Sequence, residues 1–331
     1  NEFLDGLHKY ARFPEAQQIL LEGQARFVRA YLYFLLTRNS GSVILIKELT
    51  SEKSHPRSSE SDCWDFIRDE FDYAIENCPE DWGAADFGRI TKGAAYAMKC
   101  RAMLYAGRWQ EAYDAGMEVK KLADKGMYTL NTNYVDAFKS YSAGNKEALL
   151  EFNYKLPLNH YYDRIMAPGG DNLLSGGQVM PTQEIVESYE YKTGGFPDWS
   201  NFHTGNDVTI APPYEQLEPR FHASVLYNGA AWKGRVIETY VDGLDGWVAY
   251  PADGGGNKGK SMTSYYVKKY LDETNLDLSN GVSEQTYVEI RYAEILLNIA
   301  EAAYQLKKED VANQMVAQIR TRVGLAYSNL T

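Results

Sequence analysis

The stretch GGGNKGKS, residues 254–261, sets Gly254, Gly259, Lys260 and Ser261 on the four defining positions of the phosphate-cradling pattern G-x-x-x-x-G-K-[ST]. Such a loop holds phosphates on backbone N–H groups at a helix N-terminus. It therefore needs an apolar strand before the first glycine and a helix opening at the lysine. The preceding WVAYPAD carries Pro251 and Asp253, which spoil a buried central strand. The following MTSYYVKKYLDE is rich in tyrosine and valine, closer to a strand than to a helix, and no alternating βαβ series occurs elsewhere. The stretch reads as a glycine loop whose match is a coincidence of composition.

A second pair with the residue types for chemistry is Glu294 and Glu301 in RYAEILLNIAEAAY. Seven residues are about two helical turns, which puts the carboxylates roughly 10 Å apart along one face. Inverting glycosidases hold theirs about 6.5–9.5 Å apart, so a hydrolase is one reading. The same face carries Ile290, Leu297 and Tyr304, which suit helix packing, and Arg291 stands three residues before Glu294. A structural ion pair is the better expectation. The histidines (His8, His55, His160, His203, His222) and cysteines (Cys63, Cys78, Cys100) show no metal-ligand spacing, and there is no G-x-S-x-G elbow. No metal, cofactor or catalytic set is expected.

The aromatic residues remain. The chain holds 26 tyrosines and 6 tryptophans. A sugar ring has an apolar C–H face and a rim of hydroxyls, so it suits an aromatic plane flanked by amides or guanidinium groups. NHYYDR (159–164) and PDWSNFH (197–203) combine these groups inside glycine-punctuated segments. Glycan-binding residues are accordingly expected at Trp199, Trp247, Tyr161, Tyr162, Tyr250 and Asn201. The bland alternative is that these rings anchor loops. Trp64 and Trp109 lie in helical register and are expected in the core.

The elements that must position these rings divide the chain. Apolar residues recur at helical spacing over 17–36, 61–75, 91–105 and 109–122. Cys100 and Ala112 stand twelve apart around Gly107 and Trp109, the grammar of a tetratricopeptide-type hairpin, and Ala300 and Ala312 repeat the spacing. Between these units, residues 127–283 hold most of the glycines and prolines with short β-like runs at 148–154, 223–227, 235–241 and 265–270. The expectation is a mainly α fold: a tetratricopeptide-like αα superhelix over 1–126 and 284–331, interrupted by a loop-rich insertion over 127–283 that carries the ligand site. The formal charge of −11 argues against nucleic acid and anionic membrane surfaces as partners. A helical-repeat adaptor for another protein is the alternative outside carbohydrate binding.

Several stretches add a resemblance. LEGQARFVRAYLYFLLTRNSGSVILIKE, GRITKGAAYAMKCRAMLYAGRWQEAY, MPTQEIVESYE, EPRFHASVLYNGAAWKG, SYYVKKYL and EIRYAEILLNIAEAAYQ with QIRTRVGL stand in the order of the SusD/RagB family of outer-membrane nutrient-binding lipoproteins. Pro181, Thr182 and Gln183 match its Pro-Thr-Gln motif, whereas Glu218 replaces the aspartate of its Asp-Pro-Arg segment. The resemblance implies a non-enzymatic protein that captures an oligosaccharide or polysaccharide and delivers it to a TonB-dependent, SusC-like outer-membrane transporter. It further implies a cell-surface location through an N-terminal lipid anchor outside this chain, and a chain that is the central part of a longer protein. It transfers no ligand-binding residue.

Overall fold

The computed structural model describes residues 1–140, 144–171, 176–202, 211–249, 259–278 and 282–327. The first part is helical: α1 (Glu2–Tyr10), α2 (Glu15–Ser40), α3 (Glu60–Asn77), α4 (Lys92–Tyr105) and α5 (Trp109–Asp124). Short elements follow: β1 (Ala148–Phe152), α6 (Tyr162–Met166), α7 (Gln183–Glu187), α8 (Pro219–Ser224), β2 (Val225–Leu226), β3 (Ala231–Trp232), β4 (Arg235–Val236) and β5 (Tyr266–Val267). The chain then returns through β6 (Tyr287–Arg291) to α9 (Tyr292–Gln305) and α10 (Glu309–Arg322).

Local sequence accounts for the helix ends. Ser59 caps α3 by accepting from the Asp62 N–H at 3.0 Å, and Thr91 caps α4 by accepting from the Ala94 N–H at 3.1 Å. Helix α4 ends where Gly107 turns to φ +69°, so that Arg108 N–H reaches Met103 O at 2.9 Å. Helix α9 ends in the same way at Lys307, φ +62°, with Lys308 N–H on Ala303 O at 2.8 Å. The two hairpins share one turn geometry, although only the first uses glycine.

These hairpins pack side by side. Gly116 of α5 is the point of closest approach: a Cβ there would lie 2.5 Å from Ile299 Cγ1 of α9 and 3.2 Å from the Cys100 sulfur. Their shared core includes Phe34, Phe71, Met98, Met103, Ile295, Leu296 and Met315. The scaffold is therefore a mainly α, tetratricopeptide-like superhelix whose last two helices come from the far end of the chain. Gly116→Val is expected to lower stability by about 2–3 kcal/mol, because a helix-packed Ile299 cannot withdraw from a branched side chain. Urea unfolding of G116V, I299A and the double variant checks it: the double variant should be more stable than additivity allows.

Strand β1 pairs antiparallel with β6, with Leu150 opposite Ile290 and Phe152 opposite Tyr287. This pair closes the base of the intervening segment, and Leu149, Leu150 and Ile290 join the helical core. A second apolar cluster lies within the segment itself, around Val186, Trp199, Leu217, Phe221, Leu226, Trp232 and Tyr266. Buried ion pairs join the parts. Glu147, fully buried, accepts from Arg291 at 2.5 Å and Arg322 at 3.0 Å, and Arg320 holds Glu190 in a two-bonded contact at 2.5 and 2.9 Å.

The Arg320 hydrogen bond outweighs burial and lowers the Glu190 pKa from 4.5. A carboxylate with a depressed folded pKa stabilises the fold above its unfolded pKa, and that contribution fades as pH falls through the folded value. The urea midpoint is expected to fall below pH about 4.5. Glu190→Gln should flatten the profile in that window.

Candidate functional site

Beyond Phe152 and Tyr287 the chain segments after β1 and before β6 stay joined through an isolated bridge between His160 and Ser283. Strand alternation sends Val288 and Ile290 inward, to 4% and 0% exposure, and leaves Tyr287 and Glu289 on the opposite face. Asp163 at the start of α6, 2% exposed, fixes the facing wall. Its carboxylate accepts from Gln285 Nε2 at 2.8 Å, Ser283 Oγ at 2.9 Å, the Asp272 N–H at 2.9 Å and Asn275 Nδ2 at 3.1 Å. One buried anion thus ties residues 161–166 to residues 272–285.

The ring orientations follow from backbone contacts. His160 Nδ1 accepts from the Tyr162 N–H at 3.1 Å, which leaves Nε2–H to donate to Gln285 O at 2.9 Å. Tyr162 donates its hydroxyl to Lys269 O, and Tyr270 donates to Val288 O, each at 3.0 Å. Phe152 and Tyr287 stack with centroids 6.3 Å apart and planes at 26°, and Tyr270 lies 5.5 Å from Tyr287.

The result is a pocket of about 240 Å³. Tyr161 and Tyr287 stand at its mouth, 57% and 47% exposed, with Tyr154, His160, Tyr162 and Tyr270 behind them and Gln285 and Thr286 as polar groups. Among the described residues no carboxylate, ammonium or guanidinium group is in its lining. Burial, then the neighbouring Asp163 charge, pushes the Tyr162 phenol up to about 12, and burial raises Tyr270 and Tyr287 as well. The phenols are therefore neutral at ordinary pH. Flat apolar rings with a few neutral hydrogen-bonding groups suit the C–H face and hydroxyl rim of a sugar.

Of the residues expected at a site, the structure brings Tyr161 and Tyr162 into this pocket. Trp247, 43% exposed, lies in the loop after Tyr240 and is not in its lining. Trp199 corrects the expectation: it is 7% exposed and packs edge-on to Phe202 at 5.9 Å within the second core. Its indole shares that core with Leu217 and Phe221, while Phe196 in the adjoining glycine-rich stretch is the exposed ring. Asn201 is exposed beside it, and Tyr250 lies outside the described residues. Trp64 is core at 6% exposure, whereas Trp109, at the first position of α5, is only half-buried. Sequence reasoning missed Tyr154, Tyr270 and Tyr287. The alternation in TYVEIR was the available signal for Tyr287.

The other readings fare as follows. Gly254 to Lys258 of the glycine loop lie outside the described residues. No helix opens at Lys260: its amine donates to Leu244 O, and Ser261 accepts from the Tyr265 N–H at 3.2 Å in a tight turn leading to β5. The partner of Glu294 is Arg101, not Arg291: Arg101 donates to both Glu294 oxygens at 2.6 and 2.7 Å and to Glu289 at 2.5 Å. Burial opposes the Arg101 charge, yet the two carboxylates outweigh it and raise its pKa. The face of α9 carrying Leu297, Glu301 and Tyr304 is exposed instead of packed, and Ile290 belongs to β6. Among the described residues the three cysteines are buried free thiols, no acidic, histidine or cysteine group is arranged to hold a metal ion, and no helix is long and apolar enough to cross a membrane.

Comparison with known proteins bears on this geometry. Residues 137–331 match the family described as SusD family, and residues 1–104 match one described as starch-binding associating with outer membrane. A SusD-like protein of Bacteroides ovatus is 26% identical over 95% of this chain, which spans 58% of that relative's length. The crystal structure of a SusD-like protein from Bacteroides fragilis is similar over 99% of this chain and 66% of its own, with 29% identity and TM-score 0.80. A second B. fragilis structure, a SusD-like carbohydrate binding protein, shares the fold with TM-score 0.82 at 23% identity, over all of this chain and 64% of its own.

Proposed function

We propose, from the premise that this chain belongs to the SusD family, that it captures an oligosaccharide at the cell surface and passes it to a TonB-dependent, SusC-like transporter of the outer membrane. The observation that carries the reading is the pair of half-exposed rings, Tyr161 and Tyr287, at the mouth of a pocket whose described lining residues include no carboxylate, ammonium or guanidinium group. A sugar face lies on the rings while Gln285 and Thr286 meet its hydroxyls. Capture involves no bond chemistry. Both oxygens of Glu294 are engaged by Arg101, which leaves the Glu294–Glu301 pair without the free acid and base that hydrolysis requires. Attachment to the outer membrane is through a lipid anchor outside this chain.

A partner protein has its own candidate surface. Val28, Leu32 and Leu36 form an exposed apolar stripe along α2, 48–54% exposed, continued by Phe3. Stripes of this kind on a soluble face mark contact with another protein. It supports delivery to a transporter and also accommodates the adaptor reading. Retention of the chain in native gels containing laminarin, xyloglucan or starch tests the proposal, with Tyr287→Ala as the diagnostic variant. Retention by none of a broad glycan array would remove the carbohydrate reading and leave the adaptor.

A further inference from the structure

Tyr287 lines a second cleft as well as the aromatic pocket. This cleft, about 610 Å³, lies between α2, α4, β6 and α9 and has a different chemistry. Its floor is the Arg101 guanidinium, 11% exposed, which holds Glu289 and Glu294 side by side as a planar hydrogen-bonding array. An ionised carboxylate has about four acceptor sites, so each keeps lone pairs after meeting Arg101. Glu301 stands two turns along α9, and Arg38 reaches in from α2 over the Tyr105 ring, 5.9 Å from its centroid. Among the described residues Arg38 has no carboxylate partner. Asn298 lines the same wall, only 8% exposed, with its side-chain amide on the Cys100 thiol.

Carboxylates, a guanidinium group and a carboxamide beside exposed tyrosine rings are the groups that grip neighbouring hydroxyls of a sugar rim. The Tyr287 phenol is raised first by burial and then by Glu289, with Glu294 and Tyr154 also contributing, so it lies within the field of both compartments. We infer that the cleft is a second subsite of the same groove. It takes the hydroxyl rim of the sugar unit adjoining the one stacked at Tyr161 and Tyr287, so the ligand is an uncharged oligosaccharide held across both. Neutrality follows from charge: among the described residues the cleft sets three carboxylates against two guanidinium groups, the aromatic pocket has none of either, and the chain carries −11. A uronate or sulfated unit meets net repulsion in the cleft and finds no compensating cation in the aromatic pocket. The inference rests on the carbohydrate reading of the aromatic pocket.

Native affinity electrophoresis against laminarin, xyloglucan, starch and polygalacturonate tests it, with parent, Tyr161→Ala, Glu301→Gln and Arg38→Ala. Glu301 and Arg38 are exposed, so these variants should melt with the parent, whereas Glu289→Gln would also disturb Arg101. The expected result is retardation by at least one neutral polysaccharide, weakened about three- to tenfold by E301Q and by R38A, and none by polygalacturonate. If Tyr161→Ala weakens retention while E301Q and R38A bind like the parent, the second subsite falls and the aromatic pocket stands. If Tyr161→Ala has no effect, or no polysaccharide retards the chain, the carbohydrate reading of the pocket falls and takes the subsite with it. Retention by polygalacturonate as strong as by the neutral polymers overturns the assignment of an uncharged ligand.

Discussion

Trp199→Ala destabilises the chain by about 3–5 kcal/mol and leaves the glycan affinity of the folded protein unchanged. The indole is 7% exposed and fills the second core beside Phe202 and Tyr214, with centroids 5.9 and 6.4 Å away. Truncation removes a large apolar surface and leaves a cavity that Leu217 and Phe221, both fully buried, are not free to collapse into. Trp199 is absent from the lining of the aromatic pocket, so a ligand there does not contact it. Urea unfolding read by tyrosine and tryptophan fluorescence measures the first part, and affinity electrophoresis below the unfolding transition the second. A variant that melts like the parent but no longer binds glycan would return Trp199 to the ligand surface.

Tyr287→Ala produces the opposite pattern. The ring is 47% exposed at the junction of the two clefts, so its removal costs the fold little. Binding suffers: stacking contributes about 0.5–1.5 kcal/mol beyond area burial, and the lost contact area adds a comparable amount. The total, about 1–3 kcal/mol, corresponds to a roughly five- to 140-fold weaker Kd. Tyr287→Phe keeps the plane and should retain most of the affinity, so the pair separates stacking from hydrogen bonding. Titration calorimetry with the most strongly retained polysaccharide gives both values. Equal affinity for parent and Tyr287→Ala would exclude this ring from the site.

The scaffold was legible because helix burial repeats in the sequence. Phe27, Ala30 and Phe34 recur three and four residues apart, and all are buried in α2. The twelve-residue spacings 100–112 and 300–312 mark two hairpins whose turns have the same geometry at Gly107 and Lys307. The small residues of these units, Cys100 and Ala300 among them, are buried in the shared core, since close helices require small side chains. The division at residues 126 and 283 remains a proposal, for β1 and β6 both lend residues to the helical core.

The site was legible only in part. Glycine-rich surroundings pointed to Tyr161, which is exposed in the pocket lining, yet the same argument chose the buried Trp199, because a loop's composition does not say which of its rings the loop folds over. Tyr270 joins the pocket through a hydroxyl bond to Val288 in another element. Glu294 finds its partner in Arg101, 193 residues earlier in the chain. By itself the sequence determined the repeat helices and their turns, because these depend on periodicity and on short-range contacts that neighbouring residues carry with them, while the order of its motifs carried the resemblance to the family. Which rings face solvent, and which carboxylates are neutralised, only the tertiary structure decided: exposure and charge pairing depend on side chains brought together from distant parts of the chain.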